Sequence, residues 1–143
     1  MIRPVEPSDY YRGHLKVLSQ LSHVNMAITT FEAYDKFIKS LNDDHQIYVY
    51  YDADLDIVIG TITLIYEHKL YHDMGRLCHI EDVVVDSSYR GHHIGQKLVA
   101  HAIHKAKERN CYKTVLYCND YNVKFYEKCG LEHKGALLVR YFK

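Results

Sequence analysis

The stretch HIEDVVVDSSYRGHHIGQKLVAHAI, from His79 to Ile103, decides the fold. It opens as a β-branched run carrying two adjacent carboxylates, Glu81 and Asp82, and passes through a polar turn. It ends with Ile94, Leu98, Val99 and Ile103 at helical spacing. A strand that runs into a long helix implies a crossover to a parallel strand, so the chain is read as mixed α/β. A helix start leaves unpaired N–H groups at the positive end of its dipole, and glycine lets an anion approach the backbone. Arg90, Gly91, His92, His93, Ile94, Gly95 and Gln96 therefore suit a diphosphate, although turn geometry alone also explains glycines there. The spacing is neither G-x-G-x-x-G nor G-x-x-x-x-G-K-[ST], which sets aside a dinucleotide fold and a P-loop.

Working outward, MIRPV reads as a strand. SDYYRGHLKVLSQLS reads as a helix capped by Ser8 or Asp9, with Leu15, Leu18 and Leu21 recurring along it. TTFEAYDKFIKSL is a second helix with Thr30 as cap and Phe37 and Leu41 on its apolar side. QIYVYYD and DIVIGTITLIYEH are predicted to form a hairpin around DADLD, followed by a strand over Leu77 to Val85. After the helix from about His93 to Arg109 come the strand YKTVLYC, the short helix YNVKFYEK stopped by Gly130, and a final strand ALLVRYF. The expectation is one α/β domain over residues 1–143, a mixed central sheet with flanking helices.

Eighteen basic and eighteen acidic residues cancel, so neither nucleic acid nor an anionic membrane surface is an expected partner. No apolar run approaches the ~20 residues of a membrane span, and the opening lacks the apolar core of a signal peptide, so a cytoplasmic protein is expected. Cys78, Cys111, Cys118 and Cys129 form no CxxC pair and are read as reduced thiols. His101 and His104 lie one helical turn apart without a cysteine or acid beside them, and no metal is expected.

Asn122 and Tyr126, four residues apart, share one face of the short helix. Taken together, the acidic strand, RGHHIG, the crossover helix and NVKFYEKCG resemble the GNAT superfamily of acetyl-CoA-dependent N-acetyltransferases. Its signature is Arg or Gln, two residues, Gly, one residue, then Gly or Ala. Arg90 and Gly95 fit, with Ile94 between, while His93 stands where the middle glycine is expected. LKVLS, EHKLYHDMG, HIEDVVV, CYKTVLYC and NVKFYEKCG narrow the resemblance to the glucosamine 6-phosphate N-acetyltransferases.

That resemblance implies transfer of the acetyl group of acetyl-CoA to the amine of glucosamine 6-phosphate, a step toward UDP-N-acetylglucosamine, in a homodimer with shared acceptor sites. The backbone of Val83, Val84 and Val85 would hold the pantetheine arm and polarise the thioester. Arg90 to Gln96 would hold the diphosphate, with Asn122 also on the donor side, and Tyr126 would donate to the leaving sulfur. Glu81 would take the amine proton and Asp82 the sugar or amine, two roles that are interchangeable at this level. Strand alternation points them to opposite faces, so a bulge or twist is required for both to serve one substrate. Ser19, Lys69 and His72 would bind the sugar phosphate, joined by Arg140 from the partner chain. Tyr117 occupies a place where these enzymes carry an acid against the amino sugar, and Asn119 or Asp120 are the available substitutes. Other readings are a GNAT enzyme acting on a different small amine, a silent acyl-CoA-binding module, and Cys118 as a nucleophile with His79 or His72 as its base.

Overall fold

The computed structural model describes residues 1–143. Five strands pair in chain order: β1 (Ile2–Pro4), β2 (His45–Asp52), β3 (Ile57–His68), β4 (Arg76–Val85) and β5 (Cys111–Val115). The first three pairings are antiparallel and β4–β5 is parallel, as the crossover requires. The expected hairpin forms between β2 and β3, with Asp52 Oδ1 accepting from the Asp54 and Leu55 N–H groups to close its turn.

The crossover helix α4 (Ile94–Glu108) lays Ile94, Leu98, Val99, Ala102 and Ala106 against one face of the sheet. There Ile94, Leu98, Ala102 and Ala106 meet Ile62, Leu64, Cys78 and Ile80 in the main core. On the opposite face, α1 (His14–Ser19) sends Val17 into a small cluster with Val49, Val58 and Val84. Helix α2 (Phe31–Ser40) closes a third cluster of Leu15, Tyr34 and Ile38. No helix is long and apolar enough to cross a membrane.

Five expectations need correction. The first predicted helix is broken: residues Pro7–Arg12 form a 3-10 helix with Glu6 as its N-cap, and Gly13 at φ +85° turns the chain before α1 begins. Leu21 lies beyond α1 and is exposed. In α2, capped as expected by Thr30 accepting from Ala33 N–H at 3.3 Å, the buried pair is Tyr34 and Ile38, whereas Phe37 faces outward. Strand β5 ends at Val115, so Leu116 to Cys118 leave the sheet.

The predicted strand ALLVRYF is not formed in the single chain. Residues after α5 (Val123–Lys128) have no regular structure, and Leu138 is 93% exposed with Tyr141 and Phe142 nearly as open. A strand needs a neighbour for its N–H and C=O groups, and this segment has none within its own chain.

Candidate active site

Two irregularities in β4 build the site. Thr63 pairs with Glu81 but Thr61 with Val84, so Asp82 and Val83 together oppose Ile62. This two-against-one arrangement is a β-bulge, and Asp82 absorbs it at φ +52°, a left-handed conformation that aspartate tolerates better than most residues. Pleat alternation is therefore broken between the two acids. Glu81 is half-buried and Asp82 exposed. Burial first, then the Asp82 charge, raises the Glu81 carboxyl above its ordinary value, with His79 pulling the other way.

The second irregularity is a splay. Pairing of β4 with β5 runs from Arg76↔Cys111 to His79↔Val115 and stops, while β4 continues to Val85. From Ile80 onward, β4 has no strand on that side. The main-chain groups of Val83 to Val85 edge a wedge where an extended amide-bearing ligand can supply the missing partners.

The wedge ends at the start of α4. His93 caps this helix in a left-handed conformation (φ +61°, ψ +20°), and Gly91 precedes it at φ +90°. The site where a third glycine was expected thus adopts a glycine-like conformation with a histidine in it, and the exposed His93 ring pairs through Nδ1 with Gln96 Oε1 at 3.1 Å. A methyl group on Gly95 would sit 3.1 Å from Phe125 Cζ, so its bare Cα leaves room for the α5 ring.

Helix α5 follows a 3-10 turn, Asp120–Asn122, and ends with Gly130 at φ +96° donating to Glu127 O. It carries half-buried Tyr126, and half-buried Asn122 ends the turn before it. Burial, with Cys118 and Cys129 adding to it, pushes the Tyr126 hydroxyl up to about 12. Cys118 is exposed, and burial and Asp120 raise its thiol as well. His79 is bound to Glu67 at 2.9 Å and His72 is stacked on Tyr112 at 4.2 Å, so both candidate bases are engaged elsewhere.

The remaining candidates are more dispersed. Lys69 and His72 lie in the β3–β4 connection, where the single turn α3 (Tyr71–Met74) holds His72 and Asp73 at positive φ. Thr63 is the β3 partner of Glu81, and Lys69 is six residues further on, roughly 20 Å of strand. The Lys69 ammonium folds back to Glu67 Oε2 at 2.9 Å, and the other Glu67 oxygen holds His79, so a polar chain leads along the sheet toward Glu81. Ser19 spends its hydroxyl on Lys16 O, at the edge of a groove of about 280 Å³ formed with Tyr10, Lys16 and Met26. Tyr117 is exposed just past β5. Arg140 lies on the open tail with its guanidinium 5.9 Å from the Phe142 ring centre.

The acetyltransferase (GNAT) family matches residues 16–131. This chain belongs to the GNAT family. Among the relatives of this GNAT protein, glucosamine 6-phosphate N-acetyltransferase of Arabidopsis thaliana is 38% identical over 99% of this chain and 95% of its own length. Glucosamine 6-phosphate N-acetyltransferase 1 of Dictyostelium discoideum is 33% identical over 97% and 88%. The crystal structure of the Arabidopsis thaliana protein superposes with a TM-score of 0.96 at 35% identity, covering 100% of this chain and 98% of that one.

Two residues bonded to the candidate residues or their neighbours escaped the reading of the sequence. Glu67 was findable, because it lies only two positions before Lys69 at the end of β3. Gln20 was not, because its partners are Asp86 and Ser87 and nothing local links them.

Proposed function

We propose that this GNAT protein transfers the acetyl group of acetyl-CoA to the amine of glucosamine 6-phosphate, by direct attack within a ternary complex. The observation that carries the reading is the splayed, bulged β4. One strand presents unpaired amides to a donor and a half-buried carboxylate to an acceptor. The chemical class comes from family membership, and the acceptor from the relatives that share nearly the whole chain.

The Val83 to Val85 backbone lines the pantetheine arm and donates to the thioester carbonyl as charge develops on its oxygen. The start of α4, with Arg90 beside it, takes the diphosphate. Glu81, whose raised pKa makes it a better proton acceptor, takes a proton from the substrate's ammonium and so frees the amine that attacks. Asp82 orients the amine or the neighbouring hydroxyl. Tyr126 donates its O–H to the departing sulfur. With a pKa near 12 it keeps its proton against a thiolate, so it serves as a hydrogen-bond donor while the thiolate is protonated from water.

The phosphate is met by Lys69, His72 and Ser19, together with Arg140 from a second copy. The uncovered apolar tail supports that homodimer, since its exposed Leu138, Tyr141 and Phe142 lack cover in one chain. The product enters UDP-N-acetylglucosamine synthesis. Tyr117, exposed where an acid was expected, favours one specific second reading, a GNAT enzyme for another small amine. Thiol release from acetyl-CoA, scored across glucosamine 6-phosphate, glucosamine and unrelated amines, decides between them. Release greatest with glucosamine 6-phosphate supports the proposal; release only with other amines supports the second reading.

A further inference from the structure

Helix α1 and the turn after β4 are joined by a clasp with two hydrogen bonds. Gln20, at the C-cap of α1, donates from Nε2 to Asp86 Oδ2 at 3.1 Å and accepts at Oε1 from the Ser87 N–H at 2.9 Å. Asp86 is itself fixed, with its N–H on Ile59 O at 2.8 Å and its Oδ1 taking the Ser88 N–H at 2.8 Å. It caps the 3-10 turn Ser87–Tyr89, which runs directly into Arg90 and the diphosphate loop. Gln20 in turn begins the loop from residue 20 to residue 30, whose Val24 and Met26 line the groove beside Ser19. The loop's other hydrogen bonds are internal or to α1 and α2. This one side chain is therefore the hydrogen-bonded link between the acceptor-side loop and the donor-side turn.

We propose that Gln20 is a positioning residue that couples the two substrates: a donor holding the Arg90–Gln96 loop steadies the Asp86–Ser88 turn, and Gln20 passes that order to the acceptor loop. The inference rests on the acyl-transfer reading above. The coupling is reciprocal, because a bound acceptor steadies the donor turn by the same factor. Both contacts are suited to the role. An amide presents a donor and an acceptor at fixed geometry, and the Asp86 carboxylate makes one of the two bonds charge-assisted.

The test is calorimetry on the full chain with CoA, which cannot react, and glucosamine 6-phosphate, each titrated with and without the other. The wild type is expected to bind the sugar phosphate at least about fivefold more tightly with CoA present. Gln20→Ala should bring that ratio to within about twofold of one, with the affinity for CoA alone and the thermal midpoint retained. Gln20→Glu keeps an acceptor for Ser87 but sets a charge against Asp86, and should lose most of the ratio too. In turnover, both variants raise KM for the sugar phosphate and leave kcat nearly unchanged.

A ratio near one in the wild type, or an unchanged ratio in Gln20→Ala, overturns the proposal. So does an equal loss of affinity for each ligand by itself, since that is what a merely structural contact would produce. If the wild type releases no thiol with glucosamine 6-phosphate, the acceptor assignment fails instead, and the same ratio is read with the amine that does release it.

Discussion

Gly95 and Phe125 lie against each other, so that a Cβ at residue 95 would come within 3.1 Å of Phe125 Cζ. The helix that begins with the diphosphate loop is thereby seated against the helix that carries Tyr126. Gly95→Ala should displace the Phe125 ring by a few tenths of an ångström and lower turnover by no more than about tenfold, a smaller loss than a full ångström of misplacement would bring. Affinity for CoA should change less. Gly95→Ala combined with Phe125→Leu should recover most of the rate in a double-mutant cycle. Purely additive losses would show that the two residues act independently.

Tyr126→Phe retains the ring and removes the donor. Turnover should fall by roughly ten- to a hundredfold in single-turnover experiments, while acetyl-CoA affinity and thermal midpoint stay unchanged. Because the hydroxyl is held near 12, wild type and variant should share the same pH profile up to about pH 10. An alkaline limb present only in the wild type below that pH would mean that Tyr126 is a true acid.

The acidic limb of the rate profile should report Glu81. Burial and Asp82 both raise its pKa, so Asp82→Asn should lower it and move the limb to lower pH. Glu81→Gln should abolish the limb and cost on the order of 10²- to 10⁴-fold in rate. If Asp82→Asn leaves the limb in place and Glu81→Gln is mild, the base is Asp82 and the two roles are exchanged.

Stability should depend on His14, which is 1% exposed between Tyr34 and Thr61. Thr61 donates its hydrogen to Tyr48 O, so it accepts from His14 Nε2–H, and His14 Nδ1 accepts from the Tyr34 hydroxyl. A second ring proton would destroy that arrangement. Burial lowers the His14 pKa to about 4, with Asp9 opposing it. Since an unfolded histidine titrates near 6.5, the unfolded state binds more protons between those values. Stability is therefore fully present above about pH 6.5 and falls as pH drops toward 4, by about 3 kcal/mol in the limit. Thermal midpoints should decline across that window, and His14→Gln should flatten the decline. An equal decline in the variant would assign it to other groups.

The apolar tail should govern assembly. Leu138→Asp with Phe142→Asp is expected to shift the protein from dimer to monomer in sedimentation and to raise KM for the sugar phosphate. Arg140→Ala should raise that KM without dissociating the dimer. A wild type that is monomeric and fully active would sink the shared-site proposal.

What the sequence determined by itself is the set of features written in short-range spacing. The strand from Leu77 to Val85 entering a crossover helix, the Ile94–Leu98–Val99 stripe, the Thr30 cap, the β2–β3 hairpin and the Gly130 stop all depend on residues within a few positions of one another. The adjacency of Glu81 and Asp82 was legible for the same reason. Only the tertiary structure decided the bulge at Asp82, the parting of β4 from β5 after His79, the contact of Gly95 with Phe125 and the Gln20 clasp. Each depends on which distant strand or helix lies alongside, whereas local period says only which residues share a face. The same physics explains the failures. The apolar and aromatic run ALLVRYF reads as a strand, but a strand exists only where another chain segment accepts its hydrogen bonds, and within one copy of this protein none does.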